Sequence, residues 1–206
     1  MPDDLNQIGE QNIDTFRELG NIGAGNAATA LATILNMQIS MSVPEAAVVP
    51  FDQIINILNG PETQVVGVLV NMEGDMNGYI LMILEMKDAV EMATIALQRE
   101  NLDGQEAVLD EMDRSAISEI ANILVGSYLS AIAAMTGLSA RPSVPQIAVD
   151  MLGAIISIVL IEYGEIGDSV LFLRTKFSDV GKTMTGHFFL IPDFASYKLL
   201  MKSLGL

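Results

Sequence analysis

The chain carries two copies of one pattern. Residues 14–48 align without a gap on residues 115–149 at an offset of 101, so that Asp14, Glu18, Asn21 and Ile22 fall on Ser115, Glu119, Asn122 and Ile123. Ser42-Val43-Pro44 falls on Ser143-Val144-Pro145, and Ala47-Val48 on Ala148-Val149. Further on the offset drifts to about 108, where Met76-Asn77-Gly78 faces Met184-Thr185-Gly186. Such a repeat restricts the fold to two similar halves, each built on the same plan of elements. The polar stretch 98–113 lies between them, so residues 1–206 read as a single domain made of two internal repeats, about 10–98 and 111–204.

Periodicity predicts the same order of elements in both halves. A long helix (about 10–36 and 111–137) precedes a strand carrying Ser-Val-Pro. Two further strands follow, 64–72 with 78–85 in the first half and 152–163 with 169–177 or 185–191 in the second. A helix closes each half, 87–98 and 194–204. The expected fold is α+β with pseudo-twofold symmetry, an antiparallel sheet running through both halves and packed by the long helices. The longest apolar run, 151–161, has 11 residues against the roughly 20 that span a bilayer. It reads as a buried strand.

Composition removes several functions. The 26 Asp and Glu against 10 Lys and Arg give a net charge of −16, the wrong sign for neutralising phosphates, so no nucleic-acid partner is expected. No polybasic run or basic amphipathic helix offers itself to an anionic membrane. With half the residues hydrophobic and 17% charged, the acids do not signal disorder. The absence of cysteine excludes disulfides, thiolate catalysis and zinc–thiolate sites. An acidic start, Met-Pro-Asp-Asp, without a following apolar segment, predicts a cytoplasmic protein.

The repeated helix face carries the functional signal. At roughly 100° per residue, Asp14, Glu18 and Asn21 share a stripe about 60° wide, opposite Phe16, Leu19, Gly20, Gly23 and Ala27. In the second copy Ser115, Glu119 and Asn122 take the stripe, and Ile117, Ile120, Ala121, Leu124 and Tyr128 the buried side. Any amphipathic helix has a polar face. Here a Glu and an Asn persist at identical spacing while Gly23-Ala24-Gly25-Asn26 beside them has become Leu124-Val125-Gly126-Ser127, which points to two working copies of one site. A carboxylate and a carboxamide one turn apart supply no nucleophile and no metal cage. The amide can hold a water in line with an electrophile, and the carboxylate can pair with a cation on a docked partner. Phosphoryl transfer asks a protein for little more than that.

Other signals weigh less. Gly23-x-Gly25-x-x-Ala28 matches a dinucleotide fingerprint but follows a helical pattern where that motif needs a strand; close helix packing explains its glycines better. His187, the single histidine, falls in a strand and its counterpart is Tyr79, so a structural or surface role is expected. Met72 and Met76 could lie on an adaptable contact surface. Glu73-x-Asp75 reads as turn chemistry rather than a metal site.

The pattern Asp or Ser, three residues, Glu, two residues, Asn, 22 residues, Pro occurs twice, as Asp14-Glu18-Asn21-Pro44 and Ser115-Glu119-Asn122-Pro145. It resembles the signature of the CheC, CheX and FliY phosphatases, which act on phosphorylated CheY. Glu18-Leu19-Gly20-Asn21-Ile22-Gly23-Ala24-Gly25-Asn26, Met72-Glu73-Gly74-Asp75-Met76 and Gly126-Ser127-Tyr128-Leu129 extend the resemblance to CheC over essentially the whole chain. The resemblance implies a chemotaxis hydrolase of two-component signalling that cleaves the phosphoaspartate of a CheY-like response regulator. In that reading Glu18 and Glu119 anchor the regulator through its Lys, and Asn21 and Asn122 orient the attacking water. Pro44 and Pro145 are structural. The protein would need no cofactor of its own, since the regulator carries the Mg²⁺. CheD is the implied second partner, and a monomer is expected because a duplicated unit already contains its own symmetry. The alternative reading is a non-enzymatic module that sequesters CheD or the phosphorylated regulator.

Overall fold

The two halves exchange strands. A computed structural model describes residues 10–50, 53–99, 108–163, 169–179 and 182–205. The first half contributes α1 (Glu10–Leu35), β1 (Ser40–Pro50), α2 (Ile54–Ile57), β2 (Gln64–Gly74), β3 (Gly78–Glu85) and α3 (Met86–Ala96). The second contributes α4 (Glu111–Thr136), β4 (Ala140–Pro142), β5 (Gln146–Met151), α5 (Leu152–Tyr163), β6 (Ser169–Asp179), β7 (Lys182–Pro192) and α6 (Phe194–Leu204). These strands form one sheet in the order β1-β6-β7-β3-β2, with β4 and β5 both on the far side of β2. All its pairings are antiparallel. Val48 of β1 therefore lies opposite Leu171 of β6, and Val149 of β5 opposite Val66 of β2. At the centre Leu81 of β3 faces Phe189 of β7. Separating the halves would uncover backbone edges along four ladders, β1–β6, β3–β7, β2–β4 and β2–β5, a severe penalty for a sheet.

Both faces of the sheet are covered, which is why its central strands are apolar almost without interruption. In β3, Ile80, Met82 and Leu84 join the core beneath α1 and α4, whereas Leu81 and Ile83 join the opposite core with Ile155, Ile156 and Phe172. The helices α1 and α4 pack on one another and on the first face. A Cβ at Gly23 of α1 would lie 2.5 Å from Cδ1 of Tyr128 in α4, so only glycine permits that approach. Phe16, Leu19, Gly20 and Ala27 on α1, with Ile117, Ile120, Ala121 and Leu124 on α4, are buried as the helical period predicts. The Tyr128 hydroxyl reaches through to Thr175 of β6 at 2.8 Å, and burial pushes its pKa up to about 12.

Local chemistry fixes the ends of α4. The Asp110 side chain accepts from the Asp113 N–H at 2.8 Å while Asp113 accepts from the Asp110 N–H at 2.9 Å, a reciprocal cap that satisfies two of the orphan donors. Arg99 binds both carboxylates. Gly137 ends the helix at φ 74°. By length and composition α4 could cross a bilayer, but its apolar face is the one packed against α1 and the sheet.

Three sequence expectations change. Residues 152–163 form a helix rather than a strand, and 169–177 and 185–191 are both strands, in β6 and β7. Leu152, Ile155, Ile156 and Val159 are buried at helical spacing, yet Ile158, Leu160 and Ile161 on the outside are apolar too, so the period is invisible in the hydropathy. The start of α5 is tied down where the Leu152 and Gly153 N–H groups donate to the carbonyls of Thr63 and Pro61. Secondly, the second Ser-Val-Pro falls in the break between β4 and β5, whereas the first runs inside β1. Thirdly, Met72 and Met76 are fully buried and form no contact surface.

The α1–α4 approach yields a paired test. Gly23→Ala should destabilise by about 1–3 kcal/mol through overpacking. Gly25→Ala, with nothing within 4 Å of the new methyl, should gain about 0.5–1 kcal/mol from helix propensity. Thermal melts of the two variants read the difference, and a Gly23→Ala protein melting at or above the parent would show that the helices are not in close contact there.

Candidate functional site

The two Glu-x-x-Asn stripes face outward from the paired helices, in unequal surroundings. On α1, Asp14, Glu18 and Asn21 are exposed. Asp14 is ion-paired with Arg17, while Glu18 has no ion pair among the described residues. The Asn21 Oδ1 accepts a hydrogen bond from the backbone N–H of Val43 in β1 at 2.9 Å. Val43 is 2% exposed and lies over Gly20, where a Cβ would come within 3.2 Å of its Cγ1. Pro44, next in the strand, is exposed.

On α4 the same pattern borders a cleft of about 750 Å³, with Ser115, Glu119 and Asn122 on the helix wall and Val144 and Pro145 opposite. The cleft exists because the chain leaves the sheet at residues 143–145. Ser143 remains stapled to β2, its N–H donating to the Asn71 carbonyl at 2.9 Å and its Oγ accepting from the Asn71 N–H at 3.0 Å. Val144 then turns outward and is 84% exposed. Asn122 is half-buried in the cleft, and its carboxamide has no partner among the described residues. The guanidinium of Arg114, also without a partner among them, lines the same cleft.

The repeat located both stripes, but Arg114 and Val144 were not legible as site residues. Arg114 falls on Ile13 at the 101-residue offset, outside the aligned block. The outward turn of Val144 was not marked by its own motif, since Ser-Val-Pro is the same in both copies; the helix differs there, with Ala121 where the first copy has Gly20.

The discounted features have structural places. Gly23 and Gly25 are inside α1, and the residues immediately before them, from Glu10, are helix rather than the strand a dinucleotide loop needs. Asp75 accepts from the Ser139 N–H and Oγ at 2.9 and 3.0 Å, bonds that hold its carboxyl below the usual range. Glu73 accepts from Asn71 Nδ2. Among the described residues no three His, Cys, Asp or Glu gather as a metal site. His187 is buried in β7, stacked on Phe172; burial, then the charge of Arg174, lowers its pKa to about 4.

Two long helices packed on each other and on an antiparallel sheet, each with a Glu and an Asn one turn apart on its polar stripe, define a duplicated α+β unit. The CheC-like family model matches residues 12–47 and 112–149. The CheY-P phosphatase CheC of Bacillus subtilis is 36% identical over 203 residues, covering 98% of this chain and 97% of that protein. The flagellar motor switch phosphatase FliY of the same organism is 30% identical over 124 residues, 60% of this chain and 32% of FliY. In structure the chain resembles Thermotoga maritima FliY, with a TM-score of 0.77 at 20% identity over 96% of this chain and 99% of that one. The chain belongs to the CheC-like family.

Two measurements follow from this geometry. Asn21→Ala orphans the Val43 N–H and should cost about 1 kcal/mol in a urea melt, whereas Asn122→Ala, which breaks no protein hydrogen bond, should cost nearly nothing; equal losses would mean the two amides are held alike. The folded protein protonates His187 near pH 4 and the unfolded chain near 6.5. Stability from the neutral ring is thus complete above about pH 6.5 and fades as pH falls toward 4, on the order of 3 kcal/mol in all. His187→Gln should flatten the stability profile between pH 6.5 and 4, and an unchanged slope would contradict the assignment.

Proposed function

We propose that this chain is a chemotaxis phosphatase that hydrolyses the phosphoaspartate of a CheY-like response regulator. The observation that carries the reading is the pair of Glu-x-x-Asn stripes presented outward at Glu18 and Asn21 and at Glu119 and Asn122, in a chain 36% identical along its length to a CheY-P phosphatase. Each Glu pairs with the regulator's Lys beside the phosphoaspartate. Each Asn carboxamide holds a water in line with phosphorus, Oδ1 accepting one of its protons in a hydrogen bond. The water oxygen forms the new P–O bond, the bond to the aspartate oxygen breaks, and the carboxylate leaves with its electron pair while the proton passes to phosphate or solvent. The regulator brings the Mg²⁺ that neutralises the developing charge. Positioning of this kind needs no catalytic nucleophile, and even a hundredfold acceleration amounts to about 2.7 kcal/mol of barrier.

Further parts of the reading rest on the family. A CheD deamidase is the second partner, the chain is a monomer and it works in the cytoplasm. Sequestration without catalysis is the rival. The decay of acyl-phosphorylated CheY with Mg²⁺, at one-tenth molar equivalent of this chain, separates the two. The intact protein should turn over many equivalents, and Asn21→Ala combined with Asn122→Ala should abolish the acceleration with little change in fold. Binding without acceleration by the intact chain would establish the sequestering module instead. Glu119→Lys should weaken binding of the phosphorylated regulator at low salt by setting like charge against its Lys; an unchanged affinity would remove that contact.

A further inference from the structure

The duplicated signature treats the two copies as equals, and the packing beneath them does not. In the first copy Val43 is seated in the core over Gly20, its N–H bonded to the Asn21 carboxamide at 2.9 Å. In the second copy the residue that aligns with Gly20 is Ala121, fully buried, and Val144 is 84% exposed. A methyl at Gly20 would press on both Val43 methyl carbons at 3.2 and 3.3 Å. The two copies thus differ by one carbon on the helix at the point where the first copy's valine is in close contact, and by whether that valine is buried or exposed. The outward turn of Val144 leaves a cleft beside Asn122, whose carboxamide has no backbone donor among the described residues, and Arg114, also without a partner among them, lines the same cleft.

Resting on the phosphatase reading above, we infer that the second copy is the principal dock for the phosphorylated regulator and that Ala121, acting through Val144, opens it. The occupant is the phosphate-bearing face of that regulator. Its anionic acidic pocket meets the free Arg114 guanidinium, its Lys meets Glu119, and apolar surface beside the pocket covers Val144. The first copy, with the acceptor oxygen of Asn21 engaged and Arg17 paired to Asp14, is the lesser site. Arg114 and Val144 are positioning residues: they hold the partner and touch no reacting atom.

The test is steady-state turnover of phosphorylated CheY by the full chain. Asn122→Ala should lose at least tenfold in kcat/KM and Asn21→Ala clearly less. Arg114→Glu and Val144→Ser, both at exposed positions where folding is not at risk, should each raise KM at least threefold with kcat retained. Ala121→Gly should raise KM in the same sense by letting Val144 settle inward. An Asn21→Ala loss equal to or greater than that of Asn122→Ala, in an active parent, would overturn the inequality and leave the phosphatase reading standing. Unchanged KM in both Arg114→Glu and Val144→Ser would overturn the dock. An inactive parent would remove the reading beneath both.

Discussion

The contact between Gly23 and Tyr128 governs the rest of the molecule. It lets α1 and α4 approach closely enough to share one hydrophobic seam, and it hands the Tyr128 hydroxyl to Thr175 so that a buried phenol is satisfied. The repeat supplies the complementarity. Gly23 and Ala27 occupy in α1 the positions that Leu124 and Tyr128 occupy in α4, small side chains on one helix and large ones on the other. Strict identity between the copies would have lost this fit. With the inward faces committed to one another and to the sheet, the two polar stripes can only face outward.

The sheet plays the complementary part. Because β1 is held by β6 and β5 by β2, the strand beneath each helix is anchored in the other half of the chain. The floor of each site is therefore set by long-range pairing. Where that floor stays within one strand, in β1 with a register shift between Ser42 and Glu45, it bonds Asn21. Where it breaks between β4 and β5, it leaves a cleft. A duplicated Glu-x-x-Asn pattern and an unduplicated strand path give two stripes with the same side chains and different surroundings.

The sequence was most legible where period and repeat agreed. The buried faces of α1 and α4 follow from the 3.6-residue spacing of Phe16, Leu19, Gly20 and Gly23 and of their counterparts. The antiparallel sheet follows from short apolar runs joined by turns such as Met76-Asn77-Gly78. Legibility failed at 152–163 because Ile158, Leu160 and Ile161 make the outer side of α5 as apolar as its inner side, leaving no moment to distinguish helix from strand. It failed at Met72 and Met76 because composition does not say which face a methionine takes. The stripes of Glu and Asn were visible because they repeat. The cleft was not, since it depends on whether the chain two dozen residues away stays in the sheet, as at Val43, or leaves it between β4 and β5, as at Val144.

The account stands on the second stripe meeting the activated regulator, and the side-chain amide NMR resonances of Asn21 and Asn122 report on it directly. Titration with beryllofluoride- and Mg²⁺-loaded CheY should shift and broaden the Asn122 signals first, with the Asn21 signals following at higher ratios. If neither asparagine responds while binding saturates at the exposed face of α5, the regulator docks elsewhere and the account is wrong.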